Sequence, residues 1–378
     1  MNFLTEQADR LEFLEVPYYM EENMNKKIIC AVFISALIFT LFAAGKKESY
    51  DAEKTERSQQ QPRIVNLSPP IYSMLLTFPH LADSVVGVNQ RTFSTSNPQV
   101  LQIVSPGAKN IDTSFVNNDF TINVESLAAL HPSLIIYYGE FEKKNLATID
   151  TPMLNMHLKD MNPQTLTEKW EALLAHTFQI KNPEQFKMQW QETNALAEKI
   201  LNTGGRKKLR ALFIFSYLGG KITVSGKNSY GDAFLKMAGF ENSAAVEGFA
   251  DGAGQAAVSM EQIHAWNPDV IFINNMRIGK SVTAAAHILQ NKVEGADWSF
   301  ITAAKEKCVF DIPQGTYSWG MPCADSPLVP LWMLMKVYPD RYTETEFKEK
   351  VKRYYKEMYA ADLPDAVISD MLQPIVIQ

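Results

Sequence analysis

One phrase occurs twice in this chain, and it constrains the fold more than any other feature. The first copy runs Val124-Glu-Ser-Leu-Ala-Ala-Leu-His-Pro-Ser-Leu-Ile-Ile136. The second runs Met260-Glu-Gln-Ile-His-Ala-Trp-Asn-Pro-Asp-Val-Ile-Phe272, 136 positions later. Four of the thirteen aligned pairs are identical, including Glu125/Glu261 and Pro132/Pro268. Each copy reads as a short helix, a proline stop and a buried strand. The residue before a proline is disfavoured in the helical region, so the chain is expected to straighten there. Leu127 and Leu130, or Ile263 and Trp266, supply the face that packs on a sheet.

The flanking sequence repeats the alternation. Ile64 to Leu67 and Val85 to Val88 read as strands, and Ser68-Pro-Pro70 is a helix start with serine as N-cap and proline in the first turn. Residues 163 to 202 show no strand pattern and read as two helices, with Phe186, Trp190, Leu196 and Ile200 at helical spacing. A second block restarts at Leu209 to Phe215, adds Ile222 to Val224 and a helix over Tyr230 to Ala238, and ends in a charged helix over Glu344 to Tyr359. Strands alternating with helices imply an α/β protein. The expected architecture is two Rossmann-like lobes with mainly parallel sheets, joined by one long helix, with a cleft between them. The lobes are expected over 63–181 and 204–378, with the connecting helix over 182–203.

The N-terminus reads separately. Lys26 and Lys27 precede an apolar run from Ile28 to Ala44 that ends in small residues. That is the pattern of an export signal, with Met24 as an alternative start, or else of an uncleaved anchor. No cysteine follows Gly45 to accept a lipid; Lys46 stands there. Residues 46–62 are polar and charged and read as a flexible tether. In an exported protein Cys308 and Cys323 either pair or stay as free thiols. The net charge of −6, without a clustered basic stripe, excludes a nucleic-acid partner.

Several of these elements occur in the order found in one family. Arg63-Ile-Val-Asn-Leu-Ser-Pro-Pro70, Val85-Val-Gly-Val88, the two proline phrases and Gly231 to Asn242 resemble the helical-backbone periplasmic binding proteins of ABC importers. Those proteins carry siderophores, haem, cobalamin and related metal chelates. The resemblance runs from about Arg63 to Tyr359. It implies an exported, monomeric solute-binding protein that hands an iron-siderophore or similar chelate to an ABC permease, the alternatives being haem, cobalamin or a nickel or cobalt chelate. It implies no intrinsic cofactor. It also implies an acidic docking residue on each lobe, from which Gln99 and the neighbouring pair Asp232 and Lys236 depart.

In such sheets ligands sit beyond the carboxyl ends of the strands. The candidate ligand-binding residues are therefore Ser68, Pro69, Arg91 and Tyr138 in the first block, and Tyr217, Asn275, Arg277, Tyr317, Trp319 and Met321 in the second. The loop Asp311 to Pro322 carries a tyrosine and a tryptophan among glycines and prolines, which suggests a wall for a flat ligand. Arg91 and Arg277 suit an anionic chelate. The helix N-terminus after Ser68 adds affinity for anions. The six histidines lack the spacing of a metal site; His157 alone stands where a strand ends and is the one candidate metal ligand. The chain carries no complete phosphate loop and no G-x-S-x-G elbow, although Ser225 to Ser229 contains fragments of both, so it is expected not to be an enzyme.

Overall fold

The computed structural model describes residues 61–116, 121–203, 208–218, 221–247, 249, 254–274, 285–293 and 295–372. The expected signal and most of the tether lie outside them. Among the described residues no helix is long and apolar enough to cross a membrane.

Among the described residues ten strands form two sheets. The first holds β1 (Ile64–Asn66), β2 (Val85–Val88), β3 (Leu134–Tyr137) and β4 (Met153–Asn155) in the order β2-β1-β3-β4, all parallel. The second holds β5 (Arg210–Leu218), β6 (Lys221–Ser225), β7 (Glu241–Asn242), β8 (Gln255–Val258), β9 (Val270–Ile273) and β10 (Val309–Asp311). Its order is β10-β9-β5-β6-β8, with β7 also pairing β5. Here the structure departs from the expectation of mainly parallel sheets. β9, β10 and β7 run parallel, but β6 and β8 pair antiparallel on the far side of β5. A short connection from β5 to β6 permits only an antiparallel return.

The two proline phrases occupy matching places. The helices Val124–Ala129 and Met260–Trp266 are capped by Asn123 and Ser259, whose side chains accept from the amides of Ser126 and Gln262. Each leads into a strand beside its block's first: β3 against β1, and β9 against β5. The residues before the prolines do not simply straighten. His131 (φ 46°) and Asn267 (φ 41°) both take the left-handed conformation. The helix ends in one sharp residue, a left-handed geometry in which asparagine and histidine are both enriched among non-glycine residues.

Strand alternation sorts the core into three buried clusters. Ile64 and Ile136 face one side of the first sheet, Val65 and Ile135 the other. Phe213 and Phe272 face one side of the second sheet, Leu212, Ile214, Ile271 and Ile273 the other. One cluster is shared: it runs from Ile64 and Ile71 through Trp170 and Trp190 to Phe213, Trp332 and Tyr355. The helices Pro163–Phe178 and Gln185–Asn202 lie in this shared core. The second is pinned to helix Glu344–Tyr359, because Lys350 Nζ donates to Gln189 Oε1 (3.0 Å) and Glu192 Oε2 (2.8 Å). Helix Asp365–Leu372, with no counterpart in the sequence reading, packs against helix Pro98–Val104 of the first block.

Candidate functional site

At the end of β1, Asn66 is fully buried; its Nδ2 donates to the Ser68 carbonyl (2.8 Å), while its Oδ1 has no partner among the described residues. Ser68 precedes helix Pro69–Leu76, with Pro69 in the first turn as expected, but its hydroxyl makes no cap hydrogen bond and the residue is buried. After β2, Asn89 Oδ1 accepts from the Arg91 amide (3.0 Å). The Arg91 side chain is half-buried; burial lowers its pKa and the facing Tyr317 raises it.

Tyr138 follows β3. Its hydroxyl is hydrogen-bonded to that of Tyr230, the first residue of helix Tyr230–Met237 in the second block. Its ring stands edge-on to His157 (5.1 Å between centroids) and Trp170 (6.3 Å). Its amide donates to Glu142 Oε2 (2.6 Å), and burial pushes the Glu142 carboxyl above the usual range. Tyr138 and Tyr230 thus join the two blocks, with Arg91 and Tyr317 within electrostatic reach of them; Tyr317 itself is buried in the shared core and lines neither cavity. Burial raises all three phenols, so they stay protonated at neutral pH and serve as O–H donors. The Tyr138–Tyr230 bond uses one of the two hydroxyl protons, and the other remains to donate beside the guanidinium, an arrangement that suits an anion.

Tyr230 was not singled out in the sequence. A usable signal exists: Ser229 caps a helix directly after strand β6, and the next residue stands at that strand's carboxyl end. Tyr217 lies near the end of β5 but is buried in the cluster on the outer face of its sheet, where it packs with Ile222 and Ala244. Asn275 and Arg277 lie outside the described residues.

The loop after β10 differs from expectation at its tryptophan. Trp319 is fully buried, its indole N–H donating to Asp325 Oδ2 (3.0 Å) and its ring edge-on to Phe347. It anchors the loop to its own lobe and forms no wall of a cleft. Asp325, also fully buried, further accepts from the Thr316 amide (2.8 Å) and hydroxyl (2.9 Å), Tyr355 (3.0 Å) and Tyr359 (2.6 Å). Burial raises its pKa and these donors lower it. The loop is tied to the first block as well: Ser96 Oγ donates to the Thr316 carbonyl (2.8 Å) and the Asn97 amide to that of Gly315 (2.8 Å). That double attachment leaves Tyr317 buried in the shared core, within electrostatic reach of Arg91. Met321 packs, partly buried, on the shared core.

His157 is exposed beside Tyr138, and no group of three or more histidine, cysteine, aspartate or glutamate side chains placed to hold a metal exists among the described residues. The structure therefore gives His157 no companions for a metal site. Cys308 and Cys323 are free thiols, one half-buried and one buried. Asp232 is buried and held by the Asn228 amide, Asn242 and Lys236, so it does not project as a docking acid.

Two cavities flank the Tyr138–Tyr230 pair. One of about 210 Å³ lies over the first sheet and is lined by Leu67, Asn89, Arg91, Ile122, Phe141 and Glu142, among others. A smaller one of about 40 Å³ lies over the second, between Met161, Ser225, Tyr230 and Gln255. The larger sits beyond the carboxyl ends of β1 and β2, and the smaller lies where β6 ends and β8 begins.

The family described as "Periplasmic binding protein" matches residues 81–316. The molybdate-binding protein MolA of Haemophilus influenzae is 24% identical over 370 residues, covering 88% of this chain and 96% of that protein. Among solved structures, a periplasmic solute binding protein from Veillonella parvula is 25% identical with a TM-score of 0.66, covering 83% of this chain and 92% of its own. CeuE of Helicobacter pylori, in a nickel–histidine complex, is 22% identical with a TM-score of 0.60, covering 82% of this chain and 93% of its own.

Proposed function

The chain belongs to the periplasmic binding protein family of ABC importers, and on that premise we propose that the solute it captures is a small anionic metal complex. Members of this family are solute-binding proteins rather than enzymes, and they deliver small molecules to a membrane permease. The observation that carries the proposal is the pairing of Tyr138 with Tyr230 across the two blocks, with Arg91 lining one adjoining cavity and Tyr230 the other. Protonated phenols and a guanidinium donate to oxygen atoms and do not replace them around a bare cation.

Size narrows the class. A cavity of about 210 Å³ lies below the roughly 300 Å³ at which drug-sized ligands begin to fit. That favours a compact chelate, such as a small iron–siderophore, a nickel or cobalt chelate or a metal oxyanion, over haem or cobalamin. The ligands named for MolA and CeuE, molybdate and a nickel–histidine complex, are of that size class. In this reading the lobes are 63–181 and 204–378, with helix Gln185–Asn202 as their connector. Because one core cluster runs through both, opening is small and the cleft is largely preformed.

Metal analysis and the visible spectrum of protein purified from its own host test this reading. The expected result is about one equivalent of a transition metal without a Soret band. A Soret band, or a bound organic solute without metal, overturns it.

A further inference from the structure

The larger cavity carries two opposite charges on different elements. Arg91 follows β2, and Glu142 lies in helix Glu140–Asn145 after β3. Asn89 lines the cavity between strand and helix, its Oδ1 holding the Arg91 amide. Leu67, Val116 and Ile122 make an apolar floor, the first two buried. Phe141 lines the same cavity yet is 65% exposed, among the most exposed large apolar side chains described. A bare tetrahedral oxyanion has no use for an acid or for a ring face; a carboxylate oxygen beside it is repulsive.

We infer that this cavity takes a ligand of the amino-acid type: its carboxylate against the Arg91 guanidinium, its amine N–H groups against Glu142, and a flat side chain on the ring of Phe141. Arg91 donates to a carboxylate in the bidentate geometry its fork allows. Glu142 has Oε2 engaged by the Tyr138 amide, and its other oxygen accepts from an amine. Phe141 adds stacking area for an imidazole or phenyl ring. This rests only on the reading above that this cleft is the solute site and specifies the organic part of the solute; binding of the free amino acid alone would keep this subsite and overturn the metal-complex reading. A free amino acid and an amino acid coordinated to a divalent metal share the chemistry, since a metal-bound amine keeps its N–H donors.

Calorimetric titration of the whole chain separates the cases. The probes are L-histidine, the same with equimolar nickel(II), 3-(imidazol-4-yl)propanoate, which lacks the amine, and histamine, which lacks the carboxylate. Sodium molybdate and ferric citrate serve as ligands without an amine. Histidine in one of its two forms should bind at least about tenfold more tightly than either truncated analogue, and the nickel arm tells which source is favoured. Glu142→Gln should reduce the preference for histidine over imidazolylpropanoate. Arg91→Met should reduce the preference over histamine. Phe141→Ser, on an exposed residue, should weaken every ring-bearing probe without lowering the melting temperature. Equal binding of histidine and imidazolylpropanoate overturns the inference. Binding of molybdate or ferric citrate alone also overturns it, while leaving the chelate-carrier reading intact. Silence of all six probes overturns the subsite, and the metal content of host-purified protein then judges the carrier reading separately.

Discussion

The Trp319 indole N–H donates to Asp325 Oδ2 across 3.0 Å, and neither residue is reached by solvent. This bond explains why a loop rich in glycine and proline carries a tryptophan: the ring is the loop's anchor. Trp170 is placed differently, edge-on to Tyr138 at 6.3 Å and bonded to the Met156 carbonyl (2.8 Å). Ligand-induced changes in tryptophan fluorescence should therefore survive Trp319→Phe and diminish in Trp170→Phe. Loss of the signal in the Trp319 variant alone would restore that residue to the cleft.

Asp325→Ala should destabilise the protein by at least about 3 kcal/mol, because donors from Thr316, Trp319, Tyr355 and Tyr359 lose their shared acceptor inside the core. Urea denaturation measures it. Asp325→Asn keeps one acceptor oxygen and should cost less.

Two glycines in the same loop are held by close approach. A Cβ at Gly320 would stand 2.1 Å from Asn274 Oδ1, and one at Gly315 would stand 2.3 Å from Asp325 Oδ2. Gly320→Ala and Gly315→Ala should each lower stability by about 1–3 kcal/mol. Gly107→Ala, whose Cβ would meet nothing within 4 Å, serves as the neutral control.

Glu171 accepts from the amides of Gln185 and Phe186 at the start of the connecting helix. Burial raises its pKa to about 7, against the pull of those amides and with the charges of Glu168 and Glu184 adding to the rise. The folded state thus holds this proton more tightly than the unfolded one. Stability should fall as pH rises from the ordinary carboxylate range to about 7 and then level off. Melting temperatures measured across that range should decline in the parent, and Glu171→Gln should flatten the decline. A parallel curve for the variant would mean another group controls the slope.

Ala195 lies exposed on helix Gln185–Asn202. Ala195→Pro should cost about 3 kcal/mol or more and weaken ligand binding, if that helix holds the lobes in register. Calorimetry on the variant decides; unchanged affinity would free lobe orientation from the connector.

Much of the architecture was legible because it is written in local periodicity. The doubled proline phrase marked β3 and β9, and the spacing of Phe186, Trp190 and Ile200 marked the connecting helix. Helix Glu344–Tyr359 emerged with the expected bounds. The antiparallel pair β6 and β8 was not legible, because pairing partners and strand direction are properties of the whole sheet. Of the candidate site, Arg91 and Tyr138 do lie at strand ends near one another, but Tyr230, the partner of Tyr138 from the second block, was marked only by the Ser229 cap before it and not by its residue type, being one tyrosine among fourteen.

The sequence by itself determined which segments are helix or strand and that they form two α/β blocks. Those properties depend on residues three, four or two positions apart, which the chain order displays directly. Only the tertiary structure decided what each aromatic of the loop after β10 meets. Trp319 and Tyr317 are two residues apart and both buried, yet one bonds a buried aspartate and the other lies within electrostatic reach of Arg91 from the first block. Their environments come from Asp325 and Arg91, and no local pattern records which distant residue a side chain will meet.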